Sequence, residues 1–306
     1  MASKIQKRKV CFIIPYFGAP QSWFRYFFKS VSKNVNYDWL FISDFKLKQI
    51  LPGNVKFVYM SMDEFKILVF QKTGIQPIIN EPYKLCDFKP AYGHLFSDYI
   101  ISYDYWGYCD TDILIGDLDY FLSKKLNKKY DVISPDPNFF PGHFCVFRNV
   151  DKIKYLYQLS DNYKLVFESS KCFYFDEFLI QRGIKATSAK RKWLVAKLKI
   201  RNTLFKKIVK NKAFRIFKSM FINRTLNKNH HIKFKDFNSV LLELKERGEI
   251  SAYVDKMHYS DFSNRIKKNN LKWDNGKLFY NDEEILYYHF QISKKEGLHI
   301  IENEGN

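Results

Sequence analysis

Short apolar runs, each closed by a turn signal and followed by a stretch of helical periodicity, set the strongest limit on what this chain folds into. Lys9–Ile14 is apolar after its lysine and ends at Pro15-Tyr16-Phe17-Gly18. Ser22–Val31 then places Trp23, Phe24, Phe27, Phe28 and Val31 on one helical face. Asp38–Ser43 and Asn54–Met60 repeat the apolar run, the second after a Pro52-Gly53 turn. Ser61-Met62-Asp63-Glu64 matches a capping box, in which serine and glutamate satisfy each other's backbone N–H groups, and opens a helix through Gln71. A helix is expected at Phe88–Ile100, with Pro90 tolerated in its first turn, and a strand at Tyr105–Cys109. Strands and helices continue to alternate through Asp131–Ser134, Phe144–Phe147, Val150–Leu159 and Asp176–Arg182. The expected class is α/β, a mostly parallel sheet flanked by helices, with ligands at the carboxyl ends of the strands. Further along, Asp236–Gly248 reads as a helix, Asp274-Asn275-Gly276 as a hairpin turn, and Ile285–Phe290 as a last strand.

Charge matters here by its location. The chain of 306 residues carries 51 Lys+Arg against 32 Asp+Glu, a net +19. Residues 185–235 hold 17 of the basic groups and no acid, which leaves the rest of the chain close to neutral. Within that segment Leu194, Leu198, Phe205, Val209, Ile216 and Met220 share a helical face, with lysines and arginines mostly off it. That is the composition of a helix lying on an anionic membrane surface; the plainer alternative is a helical pair with a solvated basic face. No apolar run reaches the ~18–20 residues of a membrane span, and Val10–Ile14 is too short for a signal-peptide core. The five cysteines are scattered without a CxxC spacing, which argues against a zinc site and for buried, reduced thiols in a cytosolic protein. A nucleic-acid-binding role would use the +19, but no motif for it appears.

Four groups of residues carry chemistry. On an extended stretch residues i and i+2 point the same way, so Asp110 and Asp112 would present two carboxylates to one spot at the end of an apolar strand. Such a pair suits a hard divalent cation bridging to phosphate; the alternative is a solvated loop. His289, followed by Lys294 and Lys295, would complete a mixed oxygen and nitrogen shell that suits Mn²⁺ better than Ca²⁺, or else is a hydrogen-bonded core histidine. Asp87 and Lys89 could hold a ribose or base and a phosphate at a helix start, or be an N-cap and a surface lysine. Asp176 and Glu177 could face acceptor hydroxyls or a reacting carbon, or simply favour a helix N-terminus.

The order of these motifs resembles the GT-A glycosyltransferases, in particular the nucleotide-sugar-dependent bacterial enzymes of capsule and lipopolysaccharide clusters related to glycosyltransferase families 8 and 32. The resemblance rests on Pro15-Tyr16, Asp87 with Lys89, Tyr108-Cys109-Asp110-Thr111-Asp112, Gly142-His143-Phe144, Asp176-Glu177, and His289-Phe290 with Lys295. It covers roughly residues 9–183 and 250–295. It implies a catalytic core at 1–184 and a C-terminal part at 236–306 that completes the active site; the basic segment at 185–235 lies outside it and is a membrane-surface candidate by its composition. It further implies Mn²⁺ or Mg²⁺ on Asp110, Asp112 and His289. Donor contacts would come from Pro15, Tyr16, Asp87, Lys89, Gly142, His143 and Lys295, and Asp176 and Glu177 would stand at the reacting carbon. The implied reaction moves a hexose, galactose or glucose, from a UDP-sugar to a saccharide acceptor; the composition of the basic segment adds the expectation of a lipid-linked acceptor at the inner face of the cytoplasmic membrane. Two features depart from the family pattern: Glu177 stands where the family has Gln, and Gln291-Ile292-Ser293-Lys294-Lys295 replaces its usual Gly and Lys-Pro-Trp. The stereochemical course therefore stays open, and a metal-dependent nucleotidyltransferase is the nearest rival.

Overall fold

The computed structural model describes residues 8–47, 50–177, 235–260 and 271–291. Its sheets and site lie in one compact unit joining Met1–Glu177 to Asp236–Asn306. The basic segment lies outside the described residues apart from Lys235.

The apolar runs form the sheet they were expected to form. Strands β1 (Val10–Pro15), β2 (Asp38–Ser43), β3 (Val55–Tyr59), β4 (Tyr105–Cys109), β6 (Val132–Ser134), β7 (Phe144–Arg148) and β8 (Ala252–Val254) make a seven-stranded sheet in the order β3-β2-β1-β4-β7-β6-β8. Neighbours are parallel at β1–β2, β2–β3, β1–β4 and β6–β8, and antiparallel at β4–β7 and β6–β7. Every residue of β4 is buried, whereas the edge strand β3 is buried only at Val55. Continuous apolar character is what a strand covered on both faces requires. The large aromatic share goes into this core: Phe12 stacks on Trp39 at 5.4 Å and Trp106 on Phe147 at 4.6 Å. Helix α1 (Phe24–Ser32) buries Phe24, Phe27, Phe28 and Val31 as its spacing dictates. Helix α2 (Met62–Thr73) carries the complete Ser61–Glu64 capping box and closes on Gly74 at φ +70.

The single helix expected at Phe88–Ile100 is a correction. A 3₁₀ helix runs Pro82–Ala91, followed by one short turn, α3 (Tyr92–Leu95), and a second 3₁₀ turn at Ser97–Tyr99. Pro90 removes one N–H donor from the middle of the segment, and burial of most of Pro82–Ala91 favours a tighter winding. In a 3₁₀ helix residues i and i+3 eclipse. Tyr83, Cys86 and Lys89 therefore share one side and line a cleft, while Lys84 and Asp87 share another and face the interior.

Two small three-stranded sheets complete the described part. The hairpin β10 (Leu271–Asp274) and β11 (Lys277–Tyr280), joined by β12 (Glu283–Glu284), turns at Asn275 (φ +44) and Gly276 (φ +90). Both turn residues are left-handed, as a two-residue hairpin loop demands. The other sheet sets β13 (Tyr287–His289) between β5 (Ile113–Ile115) and β9 (His258–Ser260). Strand β5 follows β4 directly after Asp110-Thr111-Asp112, so this sheet carries the C-terminal part of the chain to the end of the central strand. Among the described residues no helix is long and apolar enough to cross a membrane.

Candidate active site

The site grows from the carboxyl end of β4. Asp110 and Asp112 sit on a bend between β4 and β5, not on a continuous strand, and converge through that bend. The loop is held from several sides. Asp110 N donates to His143 O at 3.1 Å, and Trp23 Nε1 reaches Thr111 Oγ1 at 3.4 Å. Antiparallel register pairs His289 with Ile113, and Phe290 N donates to Asp112 O at 3.0 Å. His289 Nε2 consequently lies 3.4 Å from Asp112 Oδ1 and 3.9 Å from Asp110 Oδ2. One ligand atom from each of the three residues falls within 4.8 Å of the others.

The donor set fits a divalent cation. The His289 side chain is 1% exposed, yet neither ring nitrogen has a hydrogen-bond partner among the described residues. A buried imidazole that faces two carboxylates at 3.4 and 3.9 Å without closing a hydrogen bond to either is a costly arrangement for a protein by itself. Burial works against the imidazolium; Asp112 and Asp110 outweigh it and raise the His289 pKa. Two carboxylates and an imidazole suit Mn²⁺ or Mg²⁺.

A second charged layer lies beside this cluster. Lys89 Nζ is 2.6 Å from Asp110 Oδ1, 3.2 Å from Asp176 Oδ2 and 2.8 Å from Gly142 O. Burial opposes the ammonium, but Asp110 and Asp176 hold its pKa well above the usual lysine range. Asp176 is buried, with Oδ1 unpartnered, and burial pushes its pKa well above the carboxylate range against the pull of Lys89. His143 packs against His289 with ring centroids 4.5 Å apart and the rings tilted by 38°, and sets Nδ1 3.5 Å from Glu177 Oε1. Burial, and then the neighbouring His289, lower the His143 pKa well below its usual value.

A cleft of ≈ 430 Å³ opens over these groups, lined by Pro15, Tyr16, Lys89, Asp110, Asp112, Asp176 and Glu177 among others. Three residues expected at the donor do not line this cleft. Asp87 does not reach the cleft: it is 0% exposed, pairs with Lys84 at 2.7 Å, and accepts from Phe173 N and Phe175 N. Residues two apart on a helix do not share a face, so Lys89 and Asp87 part company. Gly142 and His143 are buried and are not among the residues that line the cleft. A Cβ on Gly142 would lie 2.2 Å from Asp176 Oδ2, so the glycine is what lets the acid approach the Lys89 acceptor carbonyl. Lys295 lies outside the described residues. Sequence reasoning missed Lys84, whose spacing of three to Asp87 was the available signal, and the cleft residues Trp23, Tyr83 and Tyr174, of which only Trp23 was noted, as part of an aromatic helical face.

Fold and cleft together define an α/β protein with a metal-competent Asp-Asp-His cluster at the end of a central strand. The chain belongs to the family described as a family of unknown function, DUF6625, whose model matches residues 12–304. No curated protein matches it by sequence. Among solved structures it is similar to the galactosyltransferase LgtC in complex with donor and acceptor sugar analogs, at 9% identity and a TM-score of 0.36 over 92% of this chain and 87% of that one. It is also similar to the glycosyltransferase GlyE of Streptococcus pneumoniae TIGR4, at 12% identity and a TM-score of 0.27 over 83% of this chain and 68% of that one.

Proposed function

We propose that this chain is a metal-dependent glycosyltransferase with a GT-A-type core, moving a hexose from a UDP-sugar to a saccharide acceptor. The observation that carries the reading is the juxtaposition of two layers in one cleft. Asp110, Asp112 and His289 offer a cation shell, and Lys89, Asp176 and Glu177 stand beside it. A divalent cation on the first three residues would supply the positive charge that a leaving diphosphate needs. Lys89, already charged and held by Asp110 and Asp176, adds preorganised positive charge at the same place. Pro15 and Tyr16 line the end of the cleft next to β1 and are assigned to the donor's base. Asp176 orients a sugar hydroxyl, and Glu177, set against the neutral His143, faces the reacting carbon. Lys295 is assigned to the diphosphate on the sequence pattern alone.

The acceptor is proposed to be lipid-linked and the chain to work peripherally at the inner face of the cytoplasmic membrane, because residues 185–235 combine an apolar stripe with concentrated positive charge. Co-sedimentation with anionic but not neutral vesicles is the expected result; equal behaviour with both removes this part.

The central test is a hydrolysis screen over nucleotide-sugars with Mn²⁺. Release of a nucleoside diphosphate supports glycosyl transfer, and release of a monophosphate supports the nucleotidyltransferase rival. Full metal-dependent turnover by Asp110→Asn or Asp112→Asn would sink the assignment. The anomer of the released sugar decides whether Glu177 serves as nucleophile or base.

A further inference from the structure

Lys84 and Asp87 form an ion pair that is 2% and 0% exposed and 2.7 Å long. Neither residue lines the cleft. All three ammonium protons are used: besides Asp87, Lys84 Nζ donates to Val166 O at 2.7 Å and Lys171 O at 2.6 Å. Asp87 in turn accepts from Phe173 N at 2.9 Å through Oδ2 and from Phe175 N at 2.8 Å through Oδ1. The pair therefore grips the segment from Lys171 to Phe175 at both ends.

The residue between the two gripped amides is Tyr174, at φ +54. A bulky side chain in the left-handed region is strained and persists only where its surroundings over-determine it. Asp176 and Glu177 follow immediately. If Tyr174 relaxed to negative φ, the chain beyond it would be redirected, and Asp176 would leave Lys89, now 3.2 Å away. Gly142 leaves almost no space for the acid to settle elsewhere, since its Cα hydrogen already faces Asp176 and Glu177. An apolar pair of similar volume would serve stability as well as an ion pair does. Two directional acceptors aimed at the amides on either side of a strained residue serve geometry.

We propose that Lys84 and Asp87 are positioning residues: their buried ion pair holds Tyr174 in its left-handed turn and so aims Asp176 and Glu177 into the cleft. The kinetic part of the test rests on the glycosyl-transfer reading; the exchange part does not.

The variant is the double substitution Lys84→Met with Asp87→Asn, in the full chain. It removes both charges together, which buried pairs tolerate better than loss of one partner. Asn keeps one acceptor oxygen and turns a donor toward the second amide. The expected result is a kcat for donor hydrolysis lowered about 10- to 100-fold, with donor KM and the Kd for Mn²⁺ alone each within about threefold of the parent. In a Tyr174→Gly background the left-handed turn carries no steric penalty, so removing the pair there should lower kcat by less than about threefold. An unchanged kcat, an equal loss in both backgrounds, or a parallel loss of Mn²⁺ affinity would overturn the proposal. Should the parent release nucleotide from no donor, it is the transfer reading that fails, and amide exchange decides on the pair. Exchange at Phe173 and Phe175 should then accelerate at least about tenfold in the double variant, measured against the core amides of β4. Equal protection in parent and variant would overturn it.

Discussion

The Lys84–Asp87 pair and the Asp110–Asp112–His289 cluster are made of similar materials and finished differently. Both are acids and a base set largely out of water close to the same cleft. In the first, one positive and one negative charge balance, the ammonium makes three bonds, and the carboxylate accepts from the lysine and two backbone amides. In the second, two carboxylates crowd one imidazole whose nitrogens have no hydrogen-bond partner among the described residues, and the lysine that reaches Asp110, Lys89, is shared with a third acid. A complete set of bonds marks a structural joint. An incomplete set at a cleft marks a place where ligand contributes the remainder. Burial alone does not separate the two, because His289 and Asp87 are almost equally inaccessible.

That contrast can be broken most directly at Asp87. Asp87→Ala leaves the Lys84 ammonium buried and unpaired, and urea unfolding should show a loss of about 3–5 kcal/mol. Asp110→Asn and Asp112→Asn should behave in the opposite sense. They should lower kcat about 10²- to 10³-fold, the scale of removing a preorganised charged group, while the unfolding midpoint of Asp112→Asn holds or rises because one of two crowded like charges is removed. Destabilisation by Asp112→Asn as large as that by Asp87→Ala would erase the distinction. Mn²⁺ sharpens it further: at 100 times its Kd the parent should gain about 2.7 kcal/mol in unfolding experiments. The gain should vanish in Asp112→Asn and persist in the Lys84→Met, Asp87→Asn double variant. The last effect is spread over several pH units. His258, whose Nδ1 contacts Pro135 O at 3.0 Å, has a pKa lowered to about 3, by burial first and His143 second. A depressed histidine binds its proton in the unfolded chain before the folded one, so stability falls as pH drops from about 6.5 toward 3, by up to about 1.4 kcal/mol per pH unit. His258→Gln should flatten that part of the acid limb in a pH series of unfolding midpoints.

Much of the scaffold was legible because it is set by neighbours in the chain. The buried strands β1, β2 and β4, the Ser61–Glu64 cap and the Asn275-Gly276 hairpin all follow from side-chain periodicity, cap chemistry and allowed dihedrals. The stretch Phe88–Ile100 was misread for a related reason. Helical periodicities of 3.0 and 3.6 look alike over one or two turns, and only the buried environment of Pro82–Ala91 selects the tighter one. The same choice turned Asp87 inward, against the expectation that it touches a ligand. Cys86 and Cys172 likewise proved half-buried, although all five thiols are free as expected.

The sequence by itself determined the α/β class, the position of Asp110 and Asp112 at the end of an apolar strand, and the confinement of the excess charge to residues 185–235. Tertiary structure alone decided that β6 and β7 enter the sheet as an antiparallel pair and that His289 stands opposite Ile113. It alone decided that Lys84 and Asp87 close on each other while Lys89 reaches across to Asp110 and Asp176. The physical reason is the range of the forces involved. Local sterics and periodicity fix an element from within its own few residues, whereas strand register and the pairing of buried charges are settled only by whichever distant partner satisfies them.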